Sequence, residues 1–260
     1  DSSAFTEQVV RDVVASAYQS AGQRCSALRL LCLQEDIADK TLTMLKGSMN
    51  ELQVGDAWHL NTDVGEVIDT AAQEKLQHYV SSHPGAFQIS APVPGQYVAP
   101  TLIELDHVDQ LDQEMFGPIL HVVRFKAADL LSTIESINAA GYGLTMGLQT
   151  RNQSRVQAVS ELAEVGNLYV NRNQIGAVVG SQPFGGEGLS GTGPKAGGPL
   201  YLHSFVQSAS NLPADQIDLP GPTGELNRYR WMPKQNLWCV GEAGELAEQA
   251  RQIGCQVRTV

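Results

Sequence analysis

Hydrophobic residues near the start of the chain recur at intervals of three and four positions. Phe5, Val9, Val13 and Ala17 follow this spacing, which places them on one face of a helix. The pattern predicts a helix over residues 5–20 with one buried face. Gly22 suits the turn that ends such a helix.

A nearly continuous apolar run follows at residues 27–33 (ALRLLCL). Runs of this kind are typical of a strand that is covered on both faces in a parallel sheet. Arg29 interrupts the run, and we expect its side chain to point to an edge or a partner. Cys32 lies inside the run and is interpreted as a core residue.

Helical and strand patterns then alternate along the chain. Asp36 is expected to cap a second helix, whose apolar side ends at Met49. The other predicted helices cover residues 69–81, 128–138 and 154–163, and the predicted strands cover residues 87–89, 97–103, 119–125, 144–148 and 167–171. This alternation predicts an α/β fold with a mainly parallel sheet flanked by helices.

The composition changes toward the C terminus. Residues 176–199 are rich in glycine, which predicts a loop system, and the stretch after residue 204 resembles a linker. A strand–turn–helix pattern then returns. We therefore predict a first domain at 1–204, a linker at 205–234 and the beginning of a truncated C-terminal α/β domain at 235–260. The absence of an initiator Met and the apolar strand at the end suggest a fragment.

Composition and charge limit the classes of protein to which this chain can belong. Hydrophobic residues make up 42% of the chain, enough for a sizeable core. The net charge is −11 and the pI about 4.9, which argues against a surface for nucleic acid or anionic membrane. No signal peptide or membrane-spanning run is recognisable. The four cysteines form no CxxC pair, so we expect free thiols in a reducing cytoplasm.

The turn at residues 20–27 carries the first candidate for chemistry, Cys25. A cysteine on a turn between a helix and a strand can be exposed, and a neighbouring cation such as Arg24 can stabilise its thiolate. Ser26 adds a hydroxyl immediately afterwards. A single cysteine is nevertheless more often a small buried hydrophobe. A Cys–His hydrolase would need one of the six histidines beside it, and their spacing favours neither that pairing nor a metal site.

Two further motifs were weighed. Residues 186–191 fit GxGxxG, the dinucleotide fingerprint, but prolines and glycines surround them, and the helix that must follow is not expected. We therefore reject this run as a phosphate site. Glu114, ahead of Phe116, is either a solvated loop acid or a carboxylate that could bind a ribose diol, with the aromatic ring packed beside it.

Taken together and in order, residues 22–25 (GQRC), 114–118 (EMFGP) and 183–186 (PFGG) resemble three signatures of the aldehyde dehydrogenase superfamily. The resemblance covers about residues 1–204. The segments 171–180 (NRNQIGAVVG) and 191–199 (GTGPKAGGP) look like the L-glutamate γ-semialdehyde dehydrogenases, also called Δ1-pyrroline-5-carboxylate dehydrogenases. Residues 219–225 resemble the bifunctional bacterial proline utilization A proteins, in which FAD belongs to a proline dehydrogenase part that is absent from this chain.

This resemblance implies NAD-dependent oxidation of glutamate γ-semialdehyde to glutamate in proline catabolism. Cys25 would attack the aldehyde to give a thiohemiacetal, and after hydride transfer to NAD+ water would hydrolyse the thioester. Its backbone N–H would stabilise the oxyanion. Glu114 would hold the nicotinamide ribose, with Phe116 beside it.

The same resemblance implies a substrate site. Gly176 and Ala177 would offer backbone N–H groups to the α-carboxylate with help from Ser26, and Phe184 would pack on the aliphatic part. Arg24 is included as a substrate contact, although an ion-pairing role is equally open.

The family's general-base glutamate and oxyanion-hole asparagine normally precede the cysteine, as does most of the NAD-binding domain. We therefore expect the 260-residue chain alone to neither bind NAD+ tightly nor oxidise aldehyde. The expected partners are the remainder of the bifunctional polypeptide and further copies in a homo-oligomer. The rival interpretations are a cysteine hydrolase or acyltransferase, and a non-catalytic domain of the same fold.

Overall fold

The protein was analysed as a computed structural model, which describes residues 1–92, 94–111, 113–205, 216–234, 237–239 and 244–259. The α-helices are α1 Thr6–Tyr18, α2 Glu35–Asn50, α3 Thr70–Ser81, α4 Leu130–Ala139, α5 Gln153–Leu162 and α6 Gly244–Gln252. The strands are β1 Leu30–Gln34, β2 Phe87–Gln88, β3 Thr101–Leu105, β4 Ile119–Phe125, β5 Tyr142–Gly143, β6 Thr145–Leu148, β7 Asn167–Val170, β8 Glu187–Gly188, β9 Gln216–Leu219, β10 Asn227–Arg230, β11 Leu237–Cys239 and β12 Val257–Thr259.

The largest sheet has the strand order β1-β4-β3-β2. β1 pairs in parallel with β4, and β4 with β3, while the short β2 is antiparallel to β3. β6 and β7 form a second parallel pair. The predicted α/β fold with a mainly parallel sheet is confirmed.

The main core lies between this sheet and the first two helices. Leu45 and Met49 of α2 are fully buried, as are Ile119 and Leu120 of β4. Tyr18, at the end of α1, directs its hydroxyl to the Thr101 carbonyl at 3.3 Å. A smaller cluster joins α4 and α5 to the β6–β7 pair. The apolar periodicity of α1 marks Val9, Val13 and Ala17 correctly as buried, but Phe5 is 57% exposed because it precedes the first turn of the helix.

Several local predictions differ from the structure. The strand predicted at 97–103 is β3, which begins only at Thr101 and ends at Leu105. Gln34, not Asp36, precedes the first turn of α2, and it caps the helix without a side-chain hydrogen bond. Asp36 lies inside that turn, where it accepts a hydrogen bond from Gln34 Nε2 at 2.5 Å and its charge favours the helix N-terminus. β1 begins at Leu30 rather than at residue 27, because Ala27 and Leu28 direct their N–H groups to the carbonyls of Arg24 and Ser16.

The chain forms two compact units. The first comprises residues 1–177 and 184–195, and the second comprises residues 178–183 and 196–260. In the second unit, β9 and β10 form an antiparallel hairpin inside the stretch interpreted as a linker, and β11 and β12 pair in parallel. The proposed domain boundary at residue 204 remains a prediction. Among the described residues, no helix has the length and apolar character needed to cross a membrane.

Candidate active site

The turn that carries Cys25 has an unusual backbone. Ser20, Ala21 and Gly22 all lie in the left-handed region, at φ 55°, 51° and 64°. Non-glycine residues there cost about 1–2 kcal/mol each. A Cβ on Gly22 would lie 2.1 Å from the Gly117 carbonyl oxygen. The first and second signature segments are therefore in direct backbone contact at a point where only glycine fits.

Cys25 is exposed on this turn. Within the described part of the chain, neither its thiol nor its backbone N–H makes a hydrogen bond. The following residue, Ser26, is buried. An exposed thiol with an uncommitted N–H at its base can present a nucleophile and an oxyanion donor at the same point.

Two arginines lie at this turn, and they make different contacts. The side chain of Arg24 is exposed, and its Nε donates to Ser20 Oγ at 2.9 Å. Arg29 instead places its guanidinium beneath the turn and donates to the Gly22 carbonyl at 2.6 Å and to the Arg24 carbonyl at 3.1 Å. The sequence held one signal of this role, since Arg29 is a charged residue inside an apolar run, and a buried charge needs partners.

Arg29 also reaches the second signature segment. Its Nε lies 3.7 Å from Glu114 Oε1, and its guanidinium carbon lies 4.8 Å from the centre of the Phe116 ring. The side chain of Glu114 is 32% exposed and Phe116 is 47% exposed. The structure thus brings Cys25, Glu114 and Phe116 to one region, and all three are at least partly exposed.

Ordered backbone also supports the loop that carries Gly176 and Ala177. β7 ends at Val170, and Asn171 turns the chain at φ 55° while exchanging hydrogen bonds with Thr150 at 2.9 and 2.8 Å. The Gly176 φ is +71°, and a Cβ there would meet nothing within 4 Å. In the described part of the chain, the N–H groups of Gly176 and Ala177 make no hydrogen bond and are available to an anion.

Gln174 joins this loop to the nucleophile turn, and the sequence did not single it out. It is buried, with 7% of its surface exposed. Its Nε2 donates to the Ser26 carbonyl at 3.2 Å, and its backbone N–H donates to Ser16 Oγ at 3.2 Å. A glutamine can join two segments in this way because its side-chain amide and its backbone N–H both donate hydrogen bonds. No local sequence pattern identifies the distant residues to which it bonds.

Phe184 is half-buried and is positioned from another direction. The N–H of the next residue, Gly185, donates to Asn167 Oδ1 at 3.3 Å, and a Cβ on Gly166 would lie 1.7 Å from the Gly185 carbonyl oxygen. Lys195 donates to the Gly166 carbonyl. These contacts attach the Phe184 segment to β7 rather than to the Cys25 turn.

The glycine run at residues 186–191 does not form a dinucleotide fingerprint. Two of its residues form β8, which pairs with β5. In the described chain the next helical segment begins only at Leu202. The run is therefore not followed directly by a helix, as its prolines and glycines led us to expect.

A cavity of about 400 Å³ adjoins the residues on either side of Glu114. Gln113 and Met115 contribute to its wall, and Lys75 adds a positive charge. The partly exposed Glu114 carboxylate and Phe116 ring therefore lie beside a cavity in the chain, although neither residue lines it. Among the described residues, no cluster of three or more His, Cys, Asp and Glu side chains could hold a metal ion.

Comparisons with protein families and with curated proteins agree with the resemblance seen in the sequence motifs. The model of the aldehyde dehydrogenase family matches residues 2–210. The bifunctional protein PutA of Klebsiella aerogenes is 44% identical over 325 aligned residues, which cover 99% of this chain and 25% of that protein.

Solved structures agree. The chain superposes on the crystal structure of a Bradyrhizobium japonicum proline utilization A (PutA) mutant with a TM-score of 0.76 and 50% sequence identity. The match covers 79% of this chain and 22% of the PutA chain. A 1-pyrroline-5-carboxylate dehydrogenase from Thermus with bound NAD is 33% identical with a TM-score of 0.72, over 78% of this chain and 40% of that one. The chain thus spans about a quarter of the length of the first curated relatives it matches.

Proposed function

The chain belongs to the aldehyde dehydrogenase family, and on this premise we propose that it supplies the catalytic part of an NAD-dependent L-glutamate γ-semialdehyde dehydrogenase. The observation that carries the proposal is the joint placement of an exposed Cys25, Glu114 and Phe116 around the Arg29 guanidinium. The names of the relatives, 1-pyrroline-5-carboxylate dehydrogenase among them, support the choice of substrate.

Cys25 is the proposed nucleophile. Its thiolate sulfur forms a bond to the aldehyde carbon, and the carbonyl electron pair moves to oxygen, where the uncommitted N–H of Cys25 stabilises it. The thiohemiacetal carbon then loses hydride and becomes a thioester, which water cleaves to give the new carboxylate and the free thiol. NAD+, when bound, supplies the acceptor for the hydride.

Glu114 and Phe116 are the proposed contacts for that cofactor. The Glu114 carboxylate can accept two hydrogen bonds from a ribose diol, and the exposed Phe116 ring can pack beside the nicotinamide. Arg29 contacts both side chains, at 3.7 Å from the Glu114 carboxylate and 4.8 Å from the centre of the Phe116 ring.

Gly176 and Ala177 are the proposed contacts for the substrate's α-carboxylate. Adjacent backbone N–H groups around a residue with positive φ form a concave donor pair that suits an anion. Ser26, Phe184 and Arg24 are retained as proposed substrate contacts. Of these, Ser26 is buried and tied to the same loop through Gln174.

The rest of the polypeptide is the proposed partner. We place this chain in a bifunctional protein whose proline dehydrogenase part holds FAD, and we expect the intact protein to be a homo-oligomer. The four cysteines are free, which supports the expectation of a reducing cytoplasm.

A cysteine hydrolase is the alternative, and it is less well supported. His121 of β4 is linked to this region through the Arg29 carbonyl. Both of its ring nitrogens are already bonded, to the Tyr79 hydroxyl at 2.9 Å and to the Arg29 carbonyl at 3.0 Å. It therefore has no nitrogen left to activate a thiol.

The test uses the full-length protein that carries this chain. Cys25→Ser should lower the rate of NADH formation from glutamate semialdehyde on the order of 1,000-fold or more. Cys239→Ser, a matched exchange outside the site, should retain the rate. Iodoacetamide should label Cys25 first and abolish the reaction. Full activity in Cys25→Ser, or thioester cleavage without any need for NAD+, would refute the proposal.

A further inference from the structure

Arg29 lies where the nucleophile turn and the proposed cofactor contacts meet. Its side chain is only 11% exposed. Two of its nitrogens donate to the Gly22 and Arg24 carbonyls, which flank the turn just before Cys25. Removing those donors would leave two carbonyls of a strained turn without partners. The guanidinium therefore fixes the backbone from which the thiol projects.

The third nitrogen faces the cofactor side. Nε is buried and makes no hydrogen bond among the described residues, and its distance of 3.7 Å to Glu114 Oε1 is too long for one. A buried N–H without a partner costs about 1–3 kcal/mol. A shift of Glu114 by less than about 1 Å would satisfy it. The guanidinium plane also supports the inner face of Phe116.

The backbone of Arg29 is fixed from behind. Its carbonyl accepts from the backbone N–H of His121 at 2.9 Å and lies 3.0 Å from His121 Nδ1. Since a carbonyl only accepts, Nδ1 carries the ring proton, and Nε2 accepts from the Tyr79 hydroxyl. Burial lowers the pKa of His121, so the ring stays neutral. Arg29 is thereby held to β4 and, through it, to α3.

We propose that Arg29 is a positioning residue that couples cofactor contact at Glu114 to the geometry of the Cys25 turn. The inference rests on the proposed function and extends it to a residue outside the signature motifs. When a ribose engages Glu114, the carboxylate completes its bond to the waiting Nε. The same guanidinium holds the turn, so the nucleophile is set in place together with the cofactor.

The test compares Arg29→Met and Arg29→Lys with Arg124→Met, an exposed arginine of β4, in the full-length protein. Both Arg29 variants should raise the KM for NAD+ at least about tenfold, with a smaller change in the KM for the aldehyde. Arg29→Met should also slow iodoacetamide labelling of Cys25 at a fixed pH, whereas Arg29→Lys, which keeps the charge, should restore part of that rate. Arg124→Met should change neither quantity.

A double-mutant cycle with Glu114→Gln separates coupling from general damage. The effects of Arg29→Lys and Glu114→Gln on the KM for NAD+ should be clearly less than additive. Additive effects, or Arg29 variants that fold and match the wild type in both readouts, would overturn the inference. If Arg29→Met fails to fold, Arg29→Lys carries the test. A wild-type protein that forms no NADH would refute the proposed function, while the labelling rates would still judge the positioning role.

Discussion

The side-chain amide of Gln174 donates a hydrogen bond to the carbonyl of Ser26 at 3.2 Å. Both residues are buried, and 148 positions of sequence separate them. Ser26 follows the proposed nucleophile, and Gln174 lies two residues before the proposed carboxylate-binding pair. This bond therefore links the turn of the proposed nucleophile directly to the loop of the proposed carboxylate-binding pair.

Replacement of Gln174 should uncouple these two parts of the site. We expect Gln174→Leu to raise the KM for glutamate semialdehyde about tenfold, because the Ser26 carbonyl loses a buried donor and the loop is released. A plain aldehyde, which lacks the α-carboxylate, should show a smaller rise. Gln157→Leu, an exposed exchange on α5, is the control, and steady-state kinetics with both substrates give the comparison. Equal rises for the two aldehydes would contradict this role.

Ala177 tests the carboxylate contact directly. Ala177→Leu should hinder approach to the two backbone N–H groups and raise the KM for glutamate semialdehyde about tenfold or more, on the scale of one or two lost charge-assisted hydrogen bonds. The KM for a plain aldehyde should change less. Ala71→Leu on the exposed side of α3 controls for the added bulk. If both substrates lose affinity equally, Ala177 has no part in carboxylate binding.

Gly22 and Gly47 form a matched pair of glycine positions. Gly22→Ala should lower the free energy of unfolding by about 2–4 kcal/mol, since the new methyl group would overlap the Gly117 carbonyl at a positive φ. Gly47 lies in α2 with nothing within 4 Å of an added Cβ, so Gly47→Ala should gain about 0.5–1 kcal/mol. Urea denaturation measures both. A stable Gly22→Ala protein would disprove the close contact.

Cys32 should make the fold sensitive to alkali. Burial raises the pKa of its thiol from 9.0 to about 12. Above about pH 9 the unfolded chain loses this proton while the folded chain keeps it, so stability falls as pH rises toward 12, with a slope of at most about 1.4 kcal/mol per pH unit. Below pH 9 the thiol contributes no slope.

Cys32→Ala should reduce this alkaline slope, measured by urea denaturation at pH values from about 8 to about 11. Some slope will remain, because burial also raises the pKa of Tyr18. An unchanged slope in Cys32→Ala would show that the thiol is not the group responsible.

The sequence predicted those features that are set by neighbours along the chain. The spacing of Val9, Val13 and Ala17 identified α1 and its buried face, and the helix predicted over 69–81 is α3, Thr70–Ser81. The motif resemblance identified Cys25, Glu114 and Phe116 before their mutual placement was known. Their roles remain proposals, but the structure places them in one region.

Features that depend on distant partners were not predictable. Arg29 was expected to point to an edge or a partner and does have partners, but nothing nearby in sequence identifies them as the Gly22 and Arg24 carbonyls and Glu114. Gln174 passed unnoticed for the same reason. Asp36 was expected as a cap because its residue type favours that position, yet the exit of β1 placed Gln34 there.

The three left-handed residues before Cys25 tie this turn to the folded sheet. Ser20 receives local hydrogen bonds from Gln23 and Arg24, whereas Gly22 lies against the Gly117 backbone and its carbonyl accepts from Arg29. Gly117 lies two residues before β4, which pairs with β1. A peptide of residues 20–27 alone would lack both of these contacts, so the full geometry around the thiol belongs to the folded domain and not to the motif.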